Sequence, residues 1–240
     1  MKHSKAMIVL GLLALSLGFS ASAAEEGGHV EQAGSNTRDI ASVQRGARLF
    51  VNYCLSCHSA KYMRYNRLAE DLNLSEEMVM ENFVFSDAKI GDTMDIAMQP
   101  QDAQAWLNKA PPDLSLIARS RGPDWLFGYM KSFYKDERGG WNNLSLPNAA
   151  MPNVLWELQG IQELVPGEEG KPAHLSLATP GLQSPEEFEE SVRDIVTFLD
   201  YLSEPAKLQR ERIGIWVMLF LTVFAGFAYA LKAEYWRDVH

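Results

Sequence analysis

Cysteine is almost absent from this sequence, with two residues in a chain of 240. At most one disulfide can form, so a disulfide-built scaffold is excluded. So is a zinc site that needs a second cysteine pair. Cationic residues are scarce too: 22 Lys and Arg stand against 31 Asp and Glu, a net charge of −9 at pH 7. No nucleic-acid partner is expected, because phosphate recognition needs a basic footprint. The balance favours a cationic partner instead. There is no internal repeat and no low-complexity tract, and long apolar runs occur only at the two ends. The rest is ordinary globular usage, 47% hydrophobic and 22% charged, at a length that suits one large domain or two small ones.

The two apolar ends read differently. Lys2 and Lys5, the run Ala6–Phe19 and the small residues Ala21–Ala23 describe a secretory leader over residues 1–23, with an uncleaved anchor as the alternative. Residues 24–38 read as a flexible lead-in. Near the other end Ile213–Leu231 is 19 residues without a charge, about 28 Å as a helix, which matches the hydrocarbon thickness. Trp216 lies near one end of it and Tyr229, Tyr235 and Trp236 near the other, as in interfacial aromatic belts. A single transmembrane helix at 213–231 is expected. Export would put the body outside and the tail 232–240 inside, a single-pass arrangement. The flanking charges do not set this orientation, since Lys207, Arg210 and Arg212 lie on one side and Lys232 and Arg237 on the other.

Between the ends, residues 39–205 form the expected domain. Ile40, Val43, Ala47 and Phe50 recur at helical spacing over 39–52, with Gly46 available for a close approach. A short helix is expected from Ser75. Pro111-Pro112-Asp113 is a loop leading into Leu114–Arg119. Asp124–Tyr134 is expected as a helix with Trp125, Leu126, Tyr129 and Phe133 on its apolar face. Gly139–Pro152 and Val165–Pro185 read as loops, the second because it holds four prolines. Ser184 and Glu187 form a capping box with Pro185 at the first helical position, opening a helix whose stripe is Phe188, Val192, Ile195, Val196, Leu199 and Leu202. Pro205 ends it.

The two cysteines stand in Cys54-Leu55-Ser56-Cys57-His58. This is the attachment signature of a c-type heme. Two thiols three residues apart can reach the two vinyl groups of one porphyrin, and the adjacent imidazole is then held against the iron. A redox dithiol and half of a zinc site are the other readings of Cys-x-x-Cys. The dithiol would want the motif opening a helix after a strand, whereas here it follows a helix. One covalently attached heme c per chain is therefore expected, with His58 as a metal ligand. Methionine is the usual sixth ligand for electron transfer. Met151 is the leading candidate: it sits in a long loop after Ala149 and Ala150, and Pro152 biases it toward extended backbone. Met98 is the next, and His174 a more distant one.

The ordered set of motifs resembles the cytochrome c1 family over about residues 35–235. The residues that carry the resemblance are the heme motif near the start of the exported chain, Pro111-Pro112-Asp113-Leu114-Ser115, Ala118-Arg119 followed by Gly122, Asp124 and Phe127, Ala150-Met151-Pro152, and Glu204-Pro205 before the anchor. The resemblance implies an all-α, cytochrome c-like domain with long inserted loops, plus one C-terminal transmembrane helix. In that fold the first and last helices cross, here near Gly46. It implies Pro112 among the cofactor-binding residues and a propionate contact for Arg119. The segment reads Arg-Ser-Arg-Gly, so Arg121 can share or take over that contact. Trp125 is either core or heme edge. The implied function is the heme subunit of a bacterial cytochrome bc1 complex, passing one electron from the Rieske iron–sulfur protein to a soluble, basic cytochrome c. Cytochrome b and membrane lipid are the other implied partners. The rival readings are a membrane-anchored c-type cytochrome outside that complex, a heme-based sensor or peroxidase with an open sixth site, and a structural anchor.

Overall fold

The computed structural model describes residues 31–167 and 173–238; the leader at 1–23, residues 24–30 of the lead-in and the pair Glu168-Glu169 lie outside the described residues. Asp39 opens the first helix, α1 (Ile40–Tyr53), by accepting the Ser42 N–H at 3.2 Å. Strand β1 (Ala60–Arg64), helices α2 (Tyr65–Asp71) and α3 (Glu76–Phe83), strand β2 (Thr93–Met94) and helix α4 (Pro100–Leu107) follow. Ser75 caps α3 through the Met78 N–H, the start expected from the sequence. Next come α5 (Ile117–Arg121), α6 (Pro123–Lys131), β3 (Phe133–Lys135), β4 (Trp141–Asn143), α7 (Trp156–Gln159), β5 (Gly160–Val165) and β6 (His174–Pro180). The domain closes with α8 (Pro185–Ser203), and the chain continues into α9 (Lys207–Tyr235).

The capping box forms as expected: Ser184 Oγ accepts the Glu187 N–H, and Glu187 accepts the Ser184 N–H at 2.8 Å. The helix it starts, α8, packs against α1, and this pair is the heart of the core. Gly46 permits the approach, because a Cβ there would run into the Asp194 carbonyl and the Phe198 Cβ. Beside it Asp194, only 4% exposed, accepts from Ser42 Oγ at 2.6 Å and from Arg45 Nε and Nη2 at 2.6 and 2.8 Å. Phe50 meets Phe198 with ring centroids 5.3 Å apart. Leu68, Leu72 and Val79 extend the same cluster, and α5 and α6 also pack on α8. Since α1 ends at Cys54, this crossing fixes where the Cys-x-x-Cys-His turn sits.

The all-α expectation is corrected. The chain is mainly helical but also carries a four-stranded sheet in the order β4-β3-β5-β6. Val165–Pro185 is not all loop: His174–Pro180 pairs antiparallel with Gly160–Val165. Its proline does no harm, because β6 pairs on one side only and Pro180 stands at its last position. The helix expected through Tyr134 stops at Lys131, and Phe133 goes instead into β3, paired with Asn143.

The later part of the lead-in is not loose. Ala33 is fully buried, donates to Asp124 Oδ1 at 2.7 Å and accepts from Arg193 Nε at 2.8 Å. At the other end α9 runs for 29 residues, further than the uncharged stretch. Its segment Gln209–Tyr235 is long and apolar enough to cross a membrane, about 40 Å at 1.5 Å per residue, and its most apolar part buries nothing against the domain. A soluble core helix would be covered, so an anchor is the physical reading.

Candidate functional site

The Cys-His turn hangs directly from the end of α1. The Cys54 N–H donates to Phe50 O at 2.8 Å, and the Cys57 and His58 N–H groups both return to Cys54 O, at 3.0 and 2.9 Å. Five residues thus close one tight turn. Both thiols are unpaired and half-buried. Burial, with the Cys57 sulfur adding to it, pushes the Cys54 thiol up to about 12. That is the opposite of the shift that would activate Cys54 as a nucleophile.

His58 is oriented through Pro112. The ring Nδ1 lies 2.8 Å from the Pro112 carbonyl, which can only accept, so Nδ1 carries the proton and Nε2 keeps its lone pair. Burial lowers the pKa of His58, against the opposing pull of the Pro112 carbonyl and Asp113. The imidazole is therefore neutral at pH 7, the form that binds a metal. Asp113 holds the loop in place. It accepts from Ser59 Oγ at 2.8 Å, Lys61 N at 2.9 Å and Ser115 N at 2.9 Å, while Leu114 N donates to Ser59 O at 2.8 Å. Burial disfavours its charge, but the hydrogen bonds from Ser115, Lys61 and Ser59 outweigh that and lower its pKa.

A second group lies further along the same stretch of chain. The Arg121 guanidinium sits 4.9 Å from the Trp125 ring centre, Trp125 stacks on Tyr129 at 5.0 Å and 10°, and the Tyr129 hydroxyl is 3.6 Å from Met151 Sδ. Arg119 is not in this line. It is exposed, as Arg121 is, and Glu204 at the end of α8 is held by Arg210 at 2.7 Å, with Arg119 adding only a minor pull on its charge. Two residues apart on a five-residue helix, the two arginines face different ways. Met98 is half-exposed and has no hydrogen bond to these residues among the described ones. Met63 and Met94 are buried in the core.

Cys54, Cys57, His58 and Pro112 are thus gathered in one place, and Arg121, Trp125 and Met151 in another. The segment from Pro111 through α5 to α6 connects the two. Sequence reading missed what secures the Met151 loop. Upstream, Asn143 (1% exposed) donates to Tyr129 O at 2.8 Å and accepts from Ser132 Oγ, Ser145 N and Leu146 N. Downstream, Asn153 donates to Gln159 Oε1 at 2.7 Å, and Gln159 donates to Lys131 O at 2.9 Å. The only local signal was an Asn-rich loop. Among the described residues no three His, Cys, Asp or Glu side chains are grouped to hold a metal ion by themselves. Two free thiols on one turn, a neutral imidazole with Nε2 uncommitted and a fixed thioether instead fit a heme c.

The family model described as Cytochrome C1 family matches residues 31–239. The chain belongs to the cytochrome c1 family. It is 49% identical over 222 residues to cytochrome c1 of Allochromatium vinosum, covering 89% of this chain and 91% of that one. It is 43% identical over 237 residues to a Nitrosomonas europaea protein named ammonia monooxygenase gamma subunit, covering 98% and 99%. Identity to cytochrome c1 of Rhodospirillum rubrum is 26% over 271 aligned positions, covering 98% and 97%. As a member of the cytochrome c1 family the chain is an electron carrier of the respiratory bc1 complex, carries covalently bound heme c and is anchored in the membrane.

Proposed function

We propose that this member of the cytochrome c1 family takes single electrons from the Rieske iron–sulfur protein and passes them to a soluble, basic cytochrome c, beside cytochrome b. In this reading residues 1–23 are a cleaved leader and residues 39–205 the heme domain in the periplasm. Residues 213–231 span the bacterial inner membrane, and the tail 232–240 is cytoplasmic. Cys54 and Cys57 would hold the porphyrin, and His58 Nε2 and Met151 Sδ would bind its iron. The observation that carries the reading is the His58 Nδ1 bond to Pro112, which commits one ring nitrogen and leaves the other free to bind a metal. When bound, the heme supplies a one-electron ferric–ferrous couple.

The chain's own residues do the rest. Pro112 fixes the imidazole, and Asp113 fixes Pro112. Arg121 would neutralise a propionate, and Trp125, stacked beneath its guanidinium, would hold it there. Support for Arg121 over Arg119 is its place in the line that ends at Met151. Residues 24–212 carry 18 basic and 29 acidic side chains, which favours salt-sensitive docking of a basic carrier.

Two experiments test this. The detergent-solubilised complex should contain cytochrome b and the Rieske protein. Recovery with a monooxygenase, the assembly named for the Nitrosomonas relative, would overturn the partner assignment. Met151→Leu should abolish the weak red band of ferric iron–thioether bonding, and Met98→Leu should keep it. The reverse result moves the sixth ligand to Met98.

A further inference from the structure

The role proposed above for the sixth ligand leaves one polar group at the site unused, the hydroxyl of Tyr129. It lies 3.6 Å from Met151 Sδ and has no other hydrogen-bond partner among the described residues. A thioether has no proton to give, so the direction is settled: the O–H donates and the sulfur accepts. A phenol keeps its proton at neutral pH. The ring is held between two neighbours, stacked on Trp125 at 5.0 Å and edge-on to Phe133 at 5.1 Å. The loop bearing Met151 is tied on both sides to the last turn of the same helix, through Asn143 to Tyr129 O and through Gln159 to Lys131 O. Donor and acceptor are therefore anchored to one rigid element, and the contact is built in.

We infer that Tyr129 is a positioning residue that sets the strength of the Met151 ligand. The inference rests on Met151 being the sixth ligand. A sulfur that accepts a hydrogen bond has less electron density to donate. Ferric iron needs that donation more than ferrous iron, so the O–H···S contact favours the ferrous state and raises the reduction potential. No atom is transferred; the tyrosine only polarises the thioether.

The test uses the detergent-solubilised complex, with redox titration followed at the c-heme absorption band. Tyr129→Phe keeps the aromatic packing and removes only the donor. The ferric–ferrous equilibrium should shift about threefold toward ferric, a fall of about 28 mV at 59 mV per tenfold for a one-electron couple. The red ferric iron–thioether band should persist. Tyr129→3-fluorotyrosine, a stronger donor, should move the potential the other way, which a packing role would not do. In a Met151→Leu background, Tyr129→Phe should add no further shift. An unchanged potential in both Tyr129 variants overturns the inference, as does a shift that survives in the Met151→Leu background. If Met151→Leu itself keeps the red band, the ligand assignment fails and the inference falls with it. If Met151→Leu loses the band and the Tyr129 variants do nothing, the ligand assignment stands and only this inference is lost.

Discussion

Gly46→Ala tests the packing that delivers the heme motif. On an ordinary helical surface, Gly→Ala stabilises by up to about 1 kcal/mol. At Gly46 the new methyl would meet the Asp194 carbonyl and the Phe198 Cβ, well inside van der Waals contact, and neither can rotate away. Helix α8 must retreat. That loosens the Ser42 and Arg45 bonds to Asp194 and the Phe50–Phe198 contact together. Overpacking of this kind costs about 3 kcal/mol, and part of the Asp194 bonding adds to it, discounted because the Arg45 side chain is 44% exposed. Set against the propensity gain, the net loss is about 2–3 kcal/mol. For a domain of this size that lowers Tm by about 5–10 °C. Gly128→Ala in α6 is the control, because its Cβ would meet only Ser145 Oγ at an ordinary 3.8 Å. It should be neutral or slightly stabilising. Thermal unfolding of the detergent-solubilised protein, followed by circular dichroism in the heme and far-ultraviolet regions, reads both variants. If Gly46→Ala melts at or above the wild type, the helices do not approach as described. If Gly128→Ala falls as far as Gly46→Ala, crowding at the crossing is not the cause.

Other outcomes follow from the site. Asp113 has a lowered folded-state pKa, so its stabilisation is full above about pH 4 and is lost as pH falls through the lowered value. Asp113→Asn should therefore cost about 1 kcal/mol near neutrality and flatten the acid limb of the stability curve; an unchanged acid limb refutes the hydrogen-bond account. Arg121→Gln should lower the reduction potential while Arg119→Gln leaves it nearly unchanged, as checked by redox titration, and equal shifts would mean the two arginines share the propionate. A chain stopped after Lys207 should be exported, stain for covalent heme on a denaturing gel and fractionate as soluble; membrane retention without its partners would place the anchor elsewhere.

Much of the site was legible because it is local in the chain. Cys54, Cys57 and His58 lie within five residues, so the spacing alone states the chemistry. The Ser184–Glu187 box and the stripe from Phe188 to Leu202 predicted α8 for the same reason: a helix is decided by neighbours a turn away. The anchor needed only a count of uncharged residues. Gly46 at the crossing came from the family resemblance, and a lone glycine would not have announced it.

What the sequence left open depends on partners far along the chain. Strand β6 was hidden by Pro180 and the prolines that flank the strand, because only pairing shows that Pro180 lies at the end of an edge strand where no N–H is needed. Phe133 fits a helical stripe and a strand equally well, and Asn143 across the sheet decided between them. Arg119 and Arg121 are indistinguishable as letters, and only the seating of a five-residue helix puts Arg121 over Trp125. Tyr129, Asn143 and Gln159 read as packing or as loop. Their bonds run to Met151, to the Tyr129 carbonyl and to the Lys131 carbonyl, 22, 14 and 28 residues away. The chain's short-range order determined which cofactor chemistry it carries. Only tertiary structure decided what orients His58 and what grips Met151, because those are hydrogen bonds to groups that folding alone brings within reach.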